Sequence, residues 1–81
     1  VRFEWDEQKN KINIRKHGFD FADAWEIFEA PMLTALDTRV GYDEDRLIGI
    51  GFLKERIVVV VYTELETDAI RIRLFAKGIE T

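Results

Sequence analysis

The spacing of apolar and polar residues along this chain changes once, near Pro31. Before that point, Phe3-Glu4-Trp5 alternates and predicts a short strand. Asp6 then reads as the N-cap of a helix over residues 7–17, with Gly18 in the position where a left-handed residue commonly stops a helix. A second helix is announced by Asp20 as cap, and Asp23 adds negative charge near the positive end of its dipole. Its predicted buried stripe is Phe21, Ala24, Trp25 and Phe28, at the i, i+3, i+4, i+7 spacing of one helix face, and Pro31 closes it.

After Pro31 the period is two. Strands are predicted over residues 32–37, 46–53, 56–63 and 69–76, separated by a polar loop at 38–45, a tight Lys54-Glu55 connection and a hairpin loop at 64–68. The run Ile57-Val58-Val59-Val60-Val61-Tyr62 is apolar at both parities, as a central strand covered on both sides would be. The expected architecture is therefore an α+β domain: a short N-terminal strand, two helices, then an antiparallel meander of about four strands. The helix stripe would cover one face of the sheet, and function is to be sought on the other.

Composition narrows this picture. With 81 residues, 47% of them hydrophobic, the chain has material for one core and one domain over residues 1–81. So small a domain has a thin stability margin, which a bound partner would widen by mass action. The absence of cysteine removes disulfides, thiolate catalysis and cysteine-based zinc sites, and a single histidine is too few for a histidine-rich site, so neither metal nor cofactor is expected. The apolar run at 57–62 falls far short of the roughly 20 residues of a membrane span, and no signal-peptide pattern opens the chain. A cytoplasmic protein without a membrane partner is the expectation.

The net charge of −4 speaks against a generally basic nucleic-acid binder. The charges are unevenly spread, however. Arg2, Lys9, Lys11, Arg15 and Lys16 crowd the first seventeen residues, whereas residues 18–37 carry Asp20, Asp23, Glu26, Glu29 and Asp37 and no lysine or arginine. This asymmetry permits a local basic site on an acidic protein.

Spaced residues then become specific. Phe3-Glu4-Trp5-Asp6, Lys9, Asn13, Lys16-His17-Gly18, Phe21 and Ala24 form a long N-terminal signature that resembles the BrnT family of ribonuclease toxins. Phe28 with Pro31, Arg46 followed by Ile48-Gly49, the valine-rich strand ending in Tyr62-Thr63-Glu64, and the Ile-Arg pairs at 70–73 fit the same family. The resemblance implies a RelE-like fold, cleavage of RNA, and a BrnA-type antitoxin partner. It implies contact with DNA only indirectly, through that antitoxin.

The resemblance departs at the C-terminal end. The family's last strand ordinarily continues through a Ser-Ala-Arg segment into a basic helical C-terminus, whereas this chain reads Arg73-Leu74-Phe75-Ala76-Lys77-Gly78-Ile79-Glu80-Thr81. In one register Arg71 matches the family's strand arginine; in another Arg73 does, with Ala76 at the serine. C-terminal helices are thus expected to be absent. An inactive or truncated relative, serving as an antitoxin-binding or oligomerising module, is the alternative to an active nuclease, and an uncovered last strand would suit a homodimer.

A metal-free ribonuclease must deprotonate a 2′-hydroxyl, neutralise charge growing on the phosphate and protonate the leaving 5′-oxygen. Strict alternation would put Arg71, Arg73, Phe75 and Lys77 on one face of the last strand, with the two arginines about 7 Å apart and able to grip a phosphate. Arg46 shares the parity of Ile48, Ile50 and Phe52 and would reach the rim of that face. Glu64, sharing the parity of Val58, Val60 and Tyr62, is a candidate base or arginine-orienting group. His17 supplies the one imidazole, the side-chain type suited to proton transfer near neutral pH. Lys9, Asn13 and Lys16 form an i, i+4, i+7 stripe that could face RNA. The candidate set is Arg71, Arg73, Arg46, Glu64 and His17 for catalysis, with Lys9, Lys16 and Lys77 for RNA binding. Each also has a plain structural reading: solvated strand residues, a solvated helix stripe, and a histidine placed at a helix C-terminus for its dipole.

Overall fold

A computed structural model of the chain describes residues 1–38, 45–66 and 68–78. The elements are β1 (Arg2–Glu4), α1 (Glu7–His17), a 3-10 turn (Phe21–Asp23), α2 (Trp25–Phe28), β2 (Leu33–Leu36), β3 (Leu47–Leu53), β4 (Arg56–Leu65) and β5 (Ala69–Lys77). Most of the loop predicted at 38–45, and the tail from Ile79 onward, lie outside the described residues. Among the described residues no helix is long and apolar enough to cross a membrane.

The caps of α1 form as their chemistry dictates. The Asp6 carboxylate accepts from the backbone N–H groups of Gln8 at 2.8 Å and Lys9 at 3.2 Å, and Gly18 at φ 78° donates its N–H to the Ile14 carbonyl at 2.8 Å.

Strands β2 to β5 follow one another antiparallel, and β1 joins β5 in parallel, giving the order β1-β5-β4-β3-β2. The sheet is therefore mixed and five-stranded rather than antiparallel throughout, because the N-terminal strand reaches across the fold to β5. Arg2, Phe3 and Glu4 stand beside Ala69, Ile70 and Arg71.

The helical segments cover one face, here called the inner face. Its core joins Phe19, Phe21, Ala24 and Ile27 to Leu53, Val58, Val60, Tyr62, Ile72 and Phe75. The fully buried Phe21 and Phe75 each contribute about 2–3 kcal/mol of apolar burial. Gly51 is required here, since an added Cβ would stand 2.6 Å from Ile27 Cγ2.

The second helix departs from expectation. Its start is wound as a 3-10 turn of three residues per turn, which shifts the phase of the buried stripe. Ile27 takes the core position predicted for Trp25, and Trp25 lies 46% exposed.

Candidate functional site

Alternation along the strands gives the outer face two halves. Ile48, Ile50, Phe52, Ile57, Val59 and Val61 make it apolar toward the β3–β4 turn. At the opposite end the residues turn polar. The β2–β3 ladder gains one more rung through the Asp37 N–H, which bonds the Arg46 carbonyl at 2.7 Å. Leu47 pairs with Tyr62, so Arg46 falls alongside Thr63; Thr63 pairs with Arg71, and Arg71 with Glu4. The register thus lays Asp37, Arg46, Thr63, Arg71 and Glu4 in one row across all five strands.

This row is sunk into the surface. Asp37 and Thr63 are 5% and 4% exposed, and the three arginines nearby are half-buried. Arg71 Nη1 meets Glu4 Oε1 at 3.1 Å, and Arg73 Nε donates to Thr63 Oγ1 at 3.3 Å. Two carboxylates at the flanks and three guanidinium-bearing residues at the centre make a locally cationic band on an acidic protein.

Arg73 arrives there through an irregularity. Val61 pairs with Leu74 and Tyr62 with Ile72, so Arg73 is an extra residue in β5, a bulge. Beyond it the alternation is reversed. Phe75 turns into the core, opposite Val60, instead of sharing the outer face with Arg71 and Arg73. Lys77 consequently pairs with the inner-face residue Val58, and its expected place beside the two arginines is corrected. Glu64 lies in the inner-face file with Tyr62, opposite Ile70, on the side of the sheet away from the arginine row. Burial pushes the Tyr62 hydroxyl above the usual tyrosine range, and the Glu64 carboxylate adds to this.

Helix α1 runs beside the stretch of β5 that β1 leaves uncovered. Its buried residues are two asparagines, Asn10 and Asn13, while Ile12 and Ile14 are exposed. The Asn13 carboxamide accepts from the Phe75 N–H at 3.2 Å and donates to the carbonyls of Phe75 at 2.8 Å and Phe19 at 2.9 Å, serving β5 as a missing neighbouring strand would. Asn13 therefore does not face outward in the stripe predicted for it. Its helical neighbours do. Lys9, Ile12, Lys16 and His17, with the buried Asn13 beneath them, line a cleft of about 180 Å³ together with Arg73 and Leu74.

The structure thus brings Lys9, Lys16, His17 and Arg73 around one cleft, and places Arg46 and Arg71 on either side of Arg73's own anchor, Thr63, in the row. It does not bring Glu64 or Lys77 to them. Sequence reasoning names Glu4 and Thr63 only within the family signature and Asp37 only as an acidic residue, and none of the three as a site candidate. Their common signal is strand register, which shows once the hairpins are aligned and is invisible in any single strand. A larger hollow of about 320 Å³ lies beside Pro31, Met32, Leu33, Ile50, Gly51, Phe52 and Ile57. It has no group that could carry a proton or bind an anion.

No curated protein matches the chain. The crystal structure of the Brucella abortus ribonuclease toxin BrnT superposes with a TM-score of 0.74 at 28% identity, covering 99% of this chain and 100% of the Brucella chain. The family model for the ribonuclease toxin BrnT of type II toxin–antitoxin systems matches residues 5–74, a span that holds α1, the arginine row from Arg46 to Arg71, and Arg73. By that match the chain belongs to the BrnT family of ribonuclease toxins.

Proposed function

We propose that this protein is a metal-independent endoribonuclease of RelE-like fold, acting in the cytoplasm and held in check by a BrnA-type antitoxin. The observation that carries the reading is the cleft shared by Lys9, Lys16, His17 and Arg73 at the edge of the arginine row. An imidazole and a guanidinium on one small concavity supply a base for the 2′-hydroxyl and a fixed positive charge for the phosphate.

In this reading the substrate 2′-hydroxyl loses its proton to His17 as its oxygen attacks the adjacent phosphorus. The bond to the 5′-oxygen breaks, and that oxygen takes a proton from solvent water, to which His17 returns the one it accepted. The products are a 2′,3′-cyclic phosphate and a free 5′-hydroxyl. Arg73 and Arg71 neutralise the negative charge that grows on the phosphate, and Arg46 extends the cationic row. Lys9 and Lys16 bind the flanking phosphates. Family membership implies an antitoxin partner, and DNA is reached through that partner. The family match favours this reading over that of an inactive relative.

The test is cleavage of total RNA by the purified protein in EDTA, beside His17→Ala and Arg73→Ala. Cleavage that persists in EDTA and falls at least about a hundredfold in each variant is expected. Loss of cleavage in EDTA with recovery on adding magnesium, or equal cleavage by both variants and the unaltered protein, would overturn the proposal.

A further inference from the structure

We infer that Thr63 is the positioning residue of the arginine cluster, with Arg73 brought to it by a strand bulge that Asn13 pins in place. The inference rests on the ribonuclease reading above and deepens it, since Thr63 touches no substrate in that scheme and acts through the arginines.

The first ground is the burial of a hydroxyl. Within β4 the outer-face file reads Val59, Val61, Thr63. Threonine and valine have the same shape, so packing alone would be met by a third valine. A buried hydroxyl is tolerated when it is hydrogen-bonded, and Thr63 Oγ1 accepts from Arg73 Nε.

The second ground is convergence. Thr63 stands in register between Arg46 beside β3 and Arg71 on β5, and bonds Arg73 from further along the same strand. Of the three arginines that converge on this short, rigid, β-branched side chain, Arg73 is the one it bonds, while Arg71 is held by Glu4. An anchor at Nε sets the plane in which the terminal nitrogens of Arg73 lie, and it is that fork which matches a phosphate.

The third ground is the bulge. Without it Phe75 would share the outer face with Arg71 and Arg73. With it Phe75 is fully buried, and Arg73 and Leu74 both line the cleft against α1. Asn13 holds both backbone polar groups of Phe75, two residues past the extra one, so the position of the bulge along β5 is locked to α1. The same helix carries Lys9, Lys16 and His17. One asparagine therefore sets the strand arginine and the helix cations in register with each other.

The experiment compares Thr63→Val and Thr63→Ser, each alone and combined with Arg73→Ala, by RNA cleavage kinetics, thermal midpoint, and the ¹⁵N NMR signal of the Arg73 Nε–H group. Thr63→Val should lower kcat by about tenfold to a hundredfold while the thermal midpoint holds. Thr63→Ser should restore it, and Thr63→Val should add nothing in the Arg73→Ala background. The Arg73 Nε–H signal should shift and exchange faster in Thr63→Val and keep its position in Thr63→Ser. An unmoved signal in Thr63→Val, or a loss of activity that adds fully to that of Arg73→Ala, overturns the inference. The NMR arm reads positioning without catalysis, so a wild-type protein that cleaves no RNA would defeat the ribonuclease reading and leave this one to be decided on the signal.

Discussion

Arg71 and Glu4 meet at 3.1 Å between residues 67 positions apart, across the parallel pairing of β1 with β5. The pair does two things: it fastens β1 to β5, and it turns one guanidinium of the arginine row toward the sheet edge. Both side chains remain more than a third exposed, so solvent screens the attraction. Glu4→Gln is expected to cost no more than about 0.5 kcal/mol in urea denaturation, because exposed pairs contribute little. A loss several times larger would mean that the carboxylate holds more than Arg71.

Asn13 should behave differently. Its carboxamide satisfies three buried backbone groups, and Asn13→Ala would strand them without water, at a cost of about 2–4 kcal/mol. Asn13→Asp should be no better, since a carboxylate would face two carbonyl oxygens where an amide now donates. Urea midpoints for the two variants check this, and a stable aspartate variant would contradict it.

The β3–β4 turn stores strain that can be removed. Lys54 and Glu55 sit at φ 49° and 68°, left-handed conformations that favour asparagine and glycine in a two-residue hairpin. Replacing the dipeptide by Asn-Gly should stabilise the fold by about 1 kcal/mol. The turn lies at the apolar end of the sheet, away from the arginine row, so RNA cleavage should be unaltered. A fall in the thermal midpoint would show that the native pair makes compensating contacts.

Acid sensitivity should be traceable to Asp20. The Ala22 N–H, and after it the Asn10 carboxamide, hold its carboxyl below the ordinary value of 3.8. A group depressed in the folded state stabilises it above its unfolded pKa, and that contribution is lost as pH falls through the lower folded value. Asp20→Asn should therefore narrow the gap in stability between neutral pH and about pH 3, as read from urea midpoints at both. An unchanged gap would place the acid sensitivity elsewhere.

How far the fold is legible in the sequence depends on the physics behind each feature. Asp6 and Gly18 are readable because capping is local: a side chain or a φ angle acts on its own turn. The strands are readable from period-two alternation within a few residues of their observed ends. Trp25 is misplaced by its spacing because a short 3-10 segment changes the phase of a helix without altering its composition. Asn13 is read into an outward-facing stripe because polarity does not reveal that its partners lie on other elements. Arg73 stands out as a candidate, but alternation also puts Phe75 and Lys77 on its face, since strict alternation has no means of registering a bulge. The row from Asp37 to Glu4 belongs to five strands at once, and no single segment encodes it.

The place of β5 in the sheet has a consequence for how the protein comes into being. This strand follows the other four in the chain, yet it lies between β1 and β4 and supplies the pairing edge for both. Until it is synthesised, β1 has no strand to pair with, Asn13 lacks the backbone it serves, and Arg71 and Arg73 do not exist. A nascent chain cannot assemble the cationic cleft piecemeal.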